Sequence, residues 1–492
     1  MMEPIFDARA MTSLTDSLLL SLRVDQPGTL QARLHRAIRE AILSGRLRPG
    51  ERLPATRLLA KSLSLGRNTV SLAYEALASE GYLTARGGSG HYVAADLPDA
   101  PLNHDPIPVR TSKTAALAAL PVSSGQPALD LFPRDLFARL TARAWRRAGP
   151  ALLSCRDVAG LPPLREAVAH YLRVTRDVRA EAGQVVILSG VQQALSLLAH
   201  LLMPDRDAGV GIEDPGYPGL VETIAALGRP AISIAVDRDG AVPPAPAAPT
   251  LTVLSPSRQY PLGLTMPLAR RIAWVQAASE QGFHILEDDY DSEFRYEGKA
   301  QPSLQGLDPS GHVLYTGGSS KALFPAARIA WLVLPDRLVD PFLKLRHALD
   351  SFPPLASQLP LVDFIGEGHF ARHMRRLRMA HRDRAETFAA AFRVTLGDRF
   401  HLSGGGAGLH LIAEPVTGDL PDDRILARLA LDAGIGAAAL SVTYRDVAPR
   451  QGLLLGFADI PSSEMPSRLA RFKASVDAGS ISDFQRPHHG LG

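Results

Sequence analysis

Ile285-Leu286-Glu287-Asp288-Asp289-Tyr290-Asp291-Ser292-Glu293-Phe294 is an apolar strand that runs straight into a cluster of carboxylates. Buried carboxylates are costly unless something compensates them, so acids gathered at a strand end mark a crevice with a task. In open α/β sheets ligands collect at the carboxyl ends of the strands. Side chains alternate across a strand, so only one parity faces such a crevice. Asp288 and Tyr290 share one parity; Glu287, Asp289, Asp291 and Glu293 share the other. No His or Cys stands beside them at ligand spacing, and no metal is expected here.

Downstream, His312-Val313-Leu314-Tyr315-Thr316-Gly317-Gly318-Ser319-Ser320-Lys321 is followed by Phe324-Pro325-Ala326-Ala327-Arg328-Ile329-Ala330-Trp331. A lysine at the mouth of a strand, with Gly and Ser before it and Arg after it, has the parts for a Schiff base beside a phosphate cup. A Ser-x-Lys pattern alone usually marks a surface lysine, and the acidic strand end is what gives this one weight.

Short apolar runs recur at 185–188, 209–212, 251–254, 284–286, 312–315 and 329–334, with helical patterns between several of them. Their alternation predicts an α/β fold, a mostly parallel sheet with helices on both faces, over residues 124–480. Residues 96–123 are rich in Pro and Ala, the composition of a semi-extended tether, and residues 481–492 read as a disordered tail.

Residues 1–95 read as a separate small domain. Leu30, Leu34, Ile38 and Ile42 form the stripe of an amphipathic helix that Gly45 and Pro49-Gly50 stop. A second helix fits 55–63, and a third fits 67–79 with Val70, Leu72, Ala73 and Leu77 as its apolar face. Residues 82–93 alternate around Gly87-Gly88-Ser89-Gly90, which predicts a β-hairpin with a glycine-rich tip. Helix, helix, turn, helix and hairpin is the order of a winged helix-turn-helix. The formal net charge of the whole chain is only +3, yet Arg36, Arg39, Arg46, Arg48, Arg52, Arg57, Lys61 and Arg67 crowd this end against Glu40, Glu51, Glu75 and Glu80. Such a basic end suits a phosphate backbone. In this motif the N-terminal residues of the recognition helix meet bases and phosphates, here Arg67, Asn68, Thr69 and Ser71. Arg57 and the wing residues Arg86, Ser89 and His91 are expected at the backbone of double-stranded DNA.

Composition bounds the setting. Residues 1–22 carry a short apolar patch at Leu18, Leu19 and Leu20, but acidic residues precede it and no small-residue cleavage site follows. No run reaches membrane-span length, and the single cysteine, Cys155, cannot close an intramolecular disulfide. A cytoplasmic protein without a membrane partner is expected.

Leu53-Pro54-Ala55-Thr56-Arg57, Gly66-Arg67-Asn68-Thr69-Val70, Glu80-Gly81-Tyr82-Leu83 and residues 86–93 closely resemble the DNA-binding domain of the GntR family. The acidic strand end and the Lys321 segment resemble fold-type I aminotransferases, whose mostly parallel sheet carries a smaller C-terminal α+β subdomain. In the MocR or GabR-like subfamily that domain follows a GntR-type one, and the resemblance runs over almost the whole chain. It implies that pyridoxal 5'-phosphate is bound covalently by Lys321. Asp288 would then pair with the pyridine nitrogen, and Tyr290 would bond the phenolic oxygen. Ser320, Arg328 and the backbone amides of Gly190, Val191 and Gln192 would hold the phosphate, while Tyr217 stacks on the ring. It further implies a homodimer.

Several positions depart from that pattern. Arg258 stands where the family usually has His, Cys155 where a tyrosine is common, Gly318-Ser319 where Thr-Phe is usual, and Leu454 where many aminotransferases carry the arginine that grips the substrate carboxylate. An apolar residue makes no salt bridge; Arg258, Arg445 and Arg450 are the available substitutes. A cofactor shell kept nearly intact beside an altered substrate shell suits a sensor better than an enzyme. The expectation is a transcriptional regulator reading the cofactor, or a small amine or amino-acid effector, through an aldimine at Lys321 without physiological turnover. A working aminotransferase and a repressor with a vestigial cofactor site are the alternatives.

Overall fold

A computed structural model of the protein describes residues 28–86, 90–97, 124–154, 156–244, 248–298, 301–416 and 418–478. The wing-tip Ser89, Cys155, most of the 96–123 tether, the apolar patch at 18–20 and the 481–492 tail therefore lie outside the described residues. The chain divides into two compact units, Met1–Leu117 and Ala118–Gly492.

In the small unit, α1 (Leu30–Leu43) starts at Thr29, whose hydroxyl accepts the Ala32 amide at 3.3 Å. Its stripe of Leu34, Ile38, Ala41 and Ile42 is buried, as helical spacing demands. Helix α2 (Thr56–Leu63) ends on Ser64 in the left-handed region, φ 55°. Helix α3 (Arg67–Ser79) buries Val70, Ala73, Tyr74 and Leu77. The expected apolar face is corrected at one position, since Leu72 is 47% exposed. Residues 70, 73, 74 and 77 follow the i, i+3, i+4, i+7 stripe, and position 72 points away from it. The hairpin pairs β1 (Leu83–Arg86) with β2 (Gly90–Val93) in antiparallel register, Leu83 opposite Val93.

Tyr74 ties the helices to the loop before α2, because its hydroxyl donates to the Pro54 carbonyl at 3.0 Å inside the core. Tyr74→Phe strands that carbonyl and should destabilise the small unit by about 1–3 kcal/mol, the cost of an unsatisfied buried polar group. Denaturant unfolding followed on this unit would read it; an unchanged midpoint would show that the bond contributes nothing.

The large unit is built on an eight-stranded sheet of order β3-β10-β9-β8-β7-β4-β5-β6. Its strands are β3 (Val185–Leu188), β4 (Val210–Asp214), β5 (Ala231–Asp237), β6 (Gly240–Ala241), β7 (Leu251–Leu254), β8 (His284–Asp289), β9 (Val313–Gly318) and β10 (Ala330–Val333). Neighbours from β9 through β8, β7 and β4 to β5 pair in parallel, whereas β10 runs against both β3 and β9.

Helices cover both faces. On one, α4 (Val191–Leu202) and α5 (Pro218–Ala226) pack through Leu195, Leu198, Leu220 and Ile224 onto Val186, Val210, Ile212 and Leu286. On the other, α6 (Leu268–Gln281) sets Trp274 and Ala278 against Leu254, Ile285 and Val313. Beyond the sheet, α7 (His369–Leu396) leads into an antiparallel sheet of order β11-β12-β14-β13, made of Phe400–Ser403, His410–Pro415, Leu453–Gly456 and Ala437–Ala439 respectively. This is the α/β architecture expected, with the smaller α+β part at the C-terminal end. Two strands run longer than their apolar cores. β8 reaches Asp289 and β9 reaches Gly318, which carries the sheet into the site.

Candidate functional site

Where β8 and β9 end, a cavity of about 300 Å³ opens, and all nine residues expected at the cofactor line it: Gly190, Val191, Gln192, Tyr217, Asp288, Tyr290, Ser320, Lys321 and Arg328. Three levels of structure bring them there. β8 delivers Asp288 and Tyr290, the turn after β9 delivers Ser320 and Lys321, and the N-terminus of α4 delivers residues 190–192.

The Lys321 amine donates to the Gly125 carbonyl at 2.7 Å. A Cβ on residue 125 would stand 2.9 Å from that nitrogen, so glycine there leaves the amine its room. Burial holds the Lys321 pKa below the usual lysine value, against the pull of Asp291 and Asp288. A lowered ammonium pKa raises the share of free, nucleophilic amine.

Asp288 faces it from β8. Burial first, and then Asp289 and Asp291, push its carboxyl up to about 7. Among the described residues no donor hydrogen-bonds to it, and its demand for a positive N–H partner is unmet there. A protonated pyridine nitrogen would meet that demand. In the cofactor-free protein the folded state thus keeps a proton on Asp288 up to about pH 7 that the unfolded chain releases near 3.8. The folded state binds the extra proton, so this group's contribution to stability declines as pH rises through that window, by up to about 1.4 kcal/mol per pH unit. Asp288→Asn should flatten the slope of unfolding free energy between about pH 4 and 7. Denaturant titrations at several pH values check this, and an unaltered slope would place the proton elsewhere.

Arg328 also lines the cavity, in the left-handed region at φ 48° after the Pro325–Ala327 turn. Among the described residues it has neither an ion pair nor a hydrogen bond. Its guanidinium lies against Gly190, where a Cβ would come within 3.5 Å of Nη2. Gly190 caps α4, whose first intrahelical bond runs from the Ala194 amide to the Gly190 carbonyl at 3.2 Å. The amides of Val191 and Gln192 precede it and remain available to an anion. The Gln192 side chain is occupied elsewhere, donating to Gly219 O at 3.1 Å and Thr223 Oγ1 at 3.2 Å. The Arg328 guanidinium beside Gly190, the amides that open α4, the Ser320 hydroxyl and the Asp288 carboxylate all line this one cavity, a set that fits the phosphate and ring nitrogen of pyridoxal phosphate.

The parity rule needs a correction at Asp291. β8 ends at Asp289, so alternation no longer governs the residues after it, and Asp291 joins the cavity lining. The other acids are taken up structurally. Glu287 accepts the amides of Leu304 and Gln305, Asp289 pairs with Arg176 at 2.7 Å, and Glu293 accepts from the Tyr171 hydroxyl at 3.3 Å. Asp291 is paired with Arg258 at 3.1 Å, and Arg258 also donates to Tyr290 Oη at 3.3 Å. Tyr217 stands at the mouth, edge-on to Tyr260 with ring centres 5.6 Å apart. Gly125, Tyr260 and His410 also belong to the lining without having been singled out in the sequence. Gly125 lies 196 residues from Lys321, and no local pattern announces such a contact.

None of the three arginines considered for the missing carboxylate anchor lines this cavity. Arg450 is paired with Glu414 and Arg445 with Asp446, while Arg258 stands behind Tyr290. Leu454 is fully buried among Tyr260, Leu262, Ile412 and Leu440.

In the small unit Arg67 and Asn68 open α3 exposed, with Thr69 and Ser71 half-buried beside them and Arg57 exposed on α2. Among the described residues Arg57 and Arg67 have no ion-pair partner. In the wing Arg86 is exposed and His91 half-buried. Arg86 spreads over the Tyr92 ring at 4.7 Å, and His91 sets its ring against Tyr74 at 5.1 Å.

Residues 30–93 match the family model of bacterial regulatory proteins of the gntR family, and residues 120–408 match that of aminotransferase class I and II. The probable rhizopine catabolism regulatory protein MocR of Rhizobium meliloti is 36% identical over 91% of this chain and 93% of its own. The pyridoxine biosynthesis transcriptional regulator PdxR of Corynebacterium glutamicum is 31% identical over 94% and 99%. Among solved structures, an archaeal alanine:glyoxylate aminotransferase superposes with a TM-score of 0.65 at 23% identity, over 73% of this chain and 90% of that one. The α-aminoadipate aminotransferase LysN of Thermus thermophilus gives 0.64 at 24%, over 73% and 92%. These two likenesses establish the fold of the large unit, and the full-length relatives establish the pairing of units. The chain belongs to the MocR-like subfamily of the gntR family of bacterial regulatory proteins, HTH-type transcriptional regulators that carry an aminotransferase-like domain.

Proposed function

We propose that this regulator binds pyridoxal 5'-phosphate at Lys321 and that occupation of the same cavity by a small amine or amino acid, or by the cofactor itself, sets its affinity for operator DNA. The observation that carries the reading is the convergence of Lys321, Asp288 and Arg328 on one cavity in a chain that also presents Arg67 and Asn68 on an exposed recognition helix. When bound, the cofactor supplies an aldehyde that condenses reversibly with primary amines.

The protein's own residues do the rest. Asp288 holds the proton on the ring nitrogen, and Tyr290 bonds the phenolic oxygen while Arg258 steadies its hydroxyl. Arg328, Ser320 and the amides of residues 190–192 clamp the phosphate through charge-assisted bonds. Leu454 offers no grip on a carboxylate, so a bound amine is oriented loosely and turnover is disfavoured. A relative named for pyridoxine biosynthesis supports the cofactor as one ligand that such a chain reads.

The DNA-bound form is a homodimer in the cytoplasm, with two winged domains on paired half-sites of double-stranded DNA. A ligand shifts DNA affinity only through unequal binding to two arrangements of the protein. Gel-shift titration of the region upstream of the gene, with and without pyridoxal phosphate and a panel of amines, tests this. The expected result is sequence-preferring binding that ligand changes by about 5–150-fold. Binding indifferent to every ligand would overturn the proposed sensing.

A further inference from the structure

Arg258 also lines a second cavity, of about 390 Å³, whose walls hold none of Lys321, Asp288 and Arg328. Arg258 and Arg295, the loop Gly404-Gly405-Gly406, Leu262 and Ile412 form its walls. His410 lines both this cavity and that of Lys321.

The two guanidinium groups differ in what balances them. Arg258 is neutralised by Asp291 at 3.1 Å. Arg295 donates to Ser257 O at 3.2 Å and Thr265 Oγ1 at 2.9 Å, both neutral, and among the described residues no carboxylate pairs with it. Burial first, then Arg176, hold its pKa below the usual guanidinium value, against the pull of Asp291. Glu297 is the acidic residue on the lining; it is exposed, with its carboxylate lying near Gly406 and making no ion pair with Arg295.

The loop adds donors. Gly404 and Gly405 sit at φ +93° and +106°, where side chains are strained, so bare backbone faces the cavity. Their amides find no acceptor among the described residues. Free amides beside an uncompensated cation favour an anion, and the apolar walls of Leu262 and Ile412 favour one with a carbon skeleton.

We propose that this pocket binds a small carboxylate, held by Arg295 and the amides of Gly404 and Gly405. The carboxylate is either a free organic acid or the acidic end of an amine whose nitrogen lies in the Lys321 cavity. Only the second source rests on the function proposed above. Arg258 links the sites, since it walls this pocket while bonding Tyr290 and Asp291 of the other.

Calorimetric titration of the full-length protein with malonate at constant ionic strength provides the test. Saturable binding, one per chain, is expected with or without pyridoxal phosphate. Arg295→Gln should weaken it at least about tenfold, the loss of a charge-assisted contact, with Arg295→Lys falling between. Leu262→Glu, which brings a carboxylate of its own to the wall, should abolish it even if Arg295→Gln folds poorly; a melting curve of each variant establishes which case holds. Titration with 6-aminohexanoate and hexanoate separates the sources. A gain for the amine only when the cofactor is present identifies the acidic end of an amine, and equal affinities identify a free acid. Absence of malonate binding, binding untouched in folded Arg295→Gln and Leu262→Glu, or competition between malonate and pyridoxal phosphate would overturn the proposal.

Discussion

Lys321→Ala should leave the protein folded, able to bind operator, and colourless in pyridoxal phosphate. Among the described residues the amine it removes makes a single hydrogen bond, to Gly125 O, so the cost to stability is about 1 kcal/mol. The cost to the cofactor is far larger, because Asp288, Tyr290, Ser320 and Arg328 then hold it by non-covalent contacts alone. Retention through dialysis should fall on the order of a hundredfold or more, a difference of at least about 2.7 kcal/mol. Operator affinity should no longer respond to ligand. Absorbance spectra and gel shifts on the same preparations check both halves. A variant that still yellows and still responds would place the covalent chemistry on another lysine.

The second large effect lies in the other unit. Arg67→Ala and Asn68→Ala remove exposed side chains with no role in the core of α3, so folding should change by no more than about 0.5 kcal/mol. Each bidentate base contact is worth about 1–3 kcal/mol of discrimination. The double variant should therefore lose roughly a hundredfold or more in preference for its operator over scrambled DNA, while residual non-specific binding persists. Arg57→Ala differs in kind, since a phosphate contact weakens all sequences alike and lowers the salt slope by about one. Anisotropy titrations on both DNAs at two salt concentrations separate the cases. A double variant with intact specificity would remove α3 from the groove.

The residues that announced themselves in the sequence are those placed by the strand or helix they stand on, whatever they meet across the fold. Asp288, Tyr290 and Lys321 follow apolar runs that could only be strands, and a strand end says where a ligand sits. Arg67 and Asn68 follow Gly66, which opens α3. What stayed hidden depends on contacts across the fold. Gly125 meets Lys321, Tyr260 meets Tyr217, and His410 meets Arg258 only once the sheet has closed. The antiparallel sheet was equally silent, since a strand such as Ala437–Ala439 has no alternation to read. Leu72 and Asp291 went astray for different reasons: the helical period holds through residue 72 and excludes it from the buried stripe, whereas the strand alternation ends before residue 291. α3 turns residue 72 outward, and β8 stops at residue 289.

The chemistry of residue 321 is tested most directly by incubating the purified protein with pyridoxal phosphate, reducing it with borohydride, and mapping the stabilised pyridoxyl group by peptide mass. The account predicts near-complete modification of the peptide containing Lys321, with none on Lys344 or Lys473. An unmodified Lys321 peptide, or label scattered over surface lysines, would contradict it.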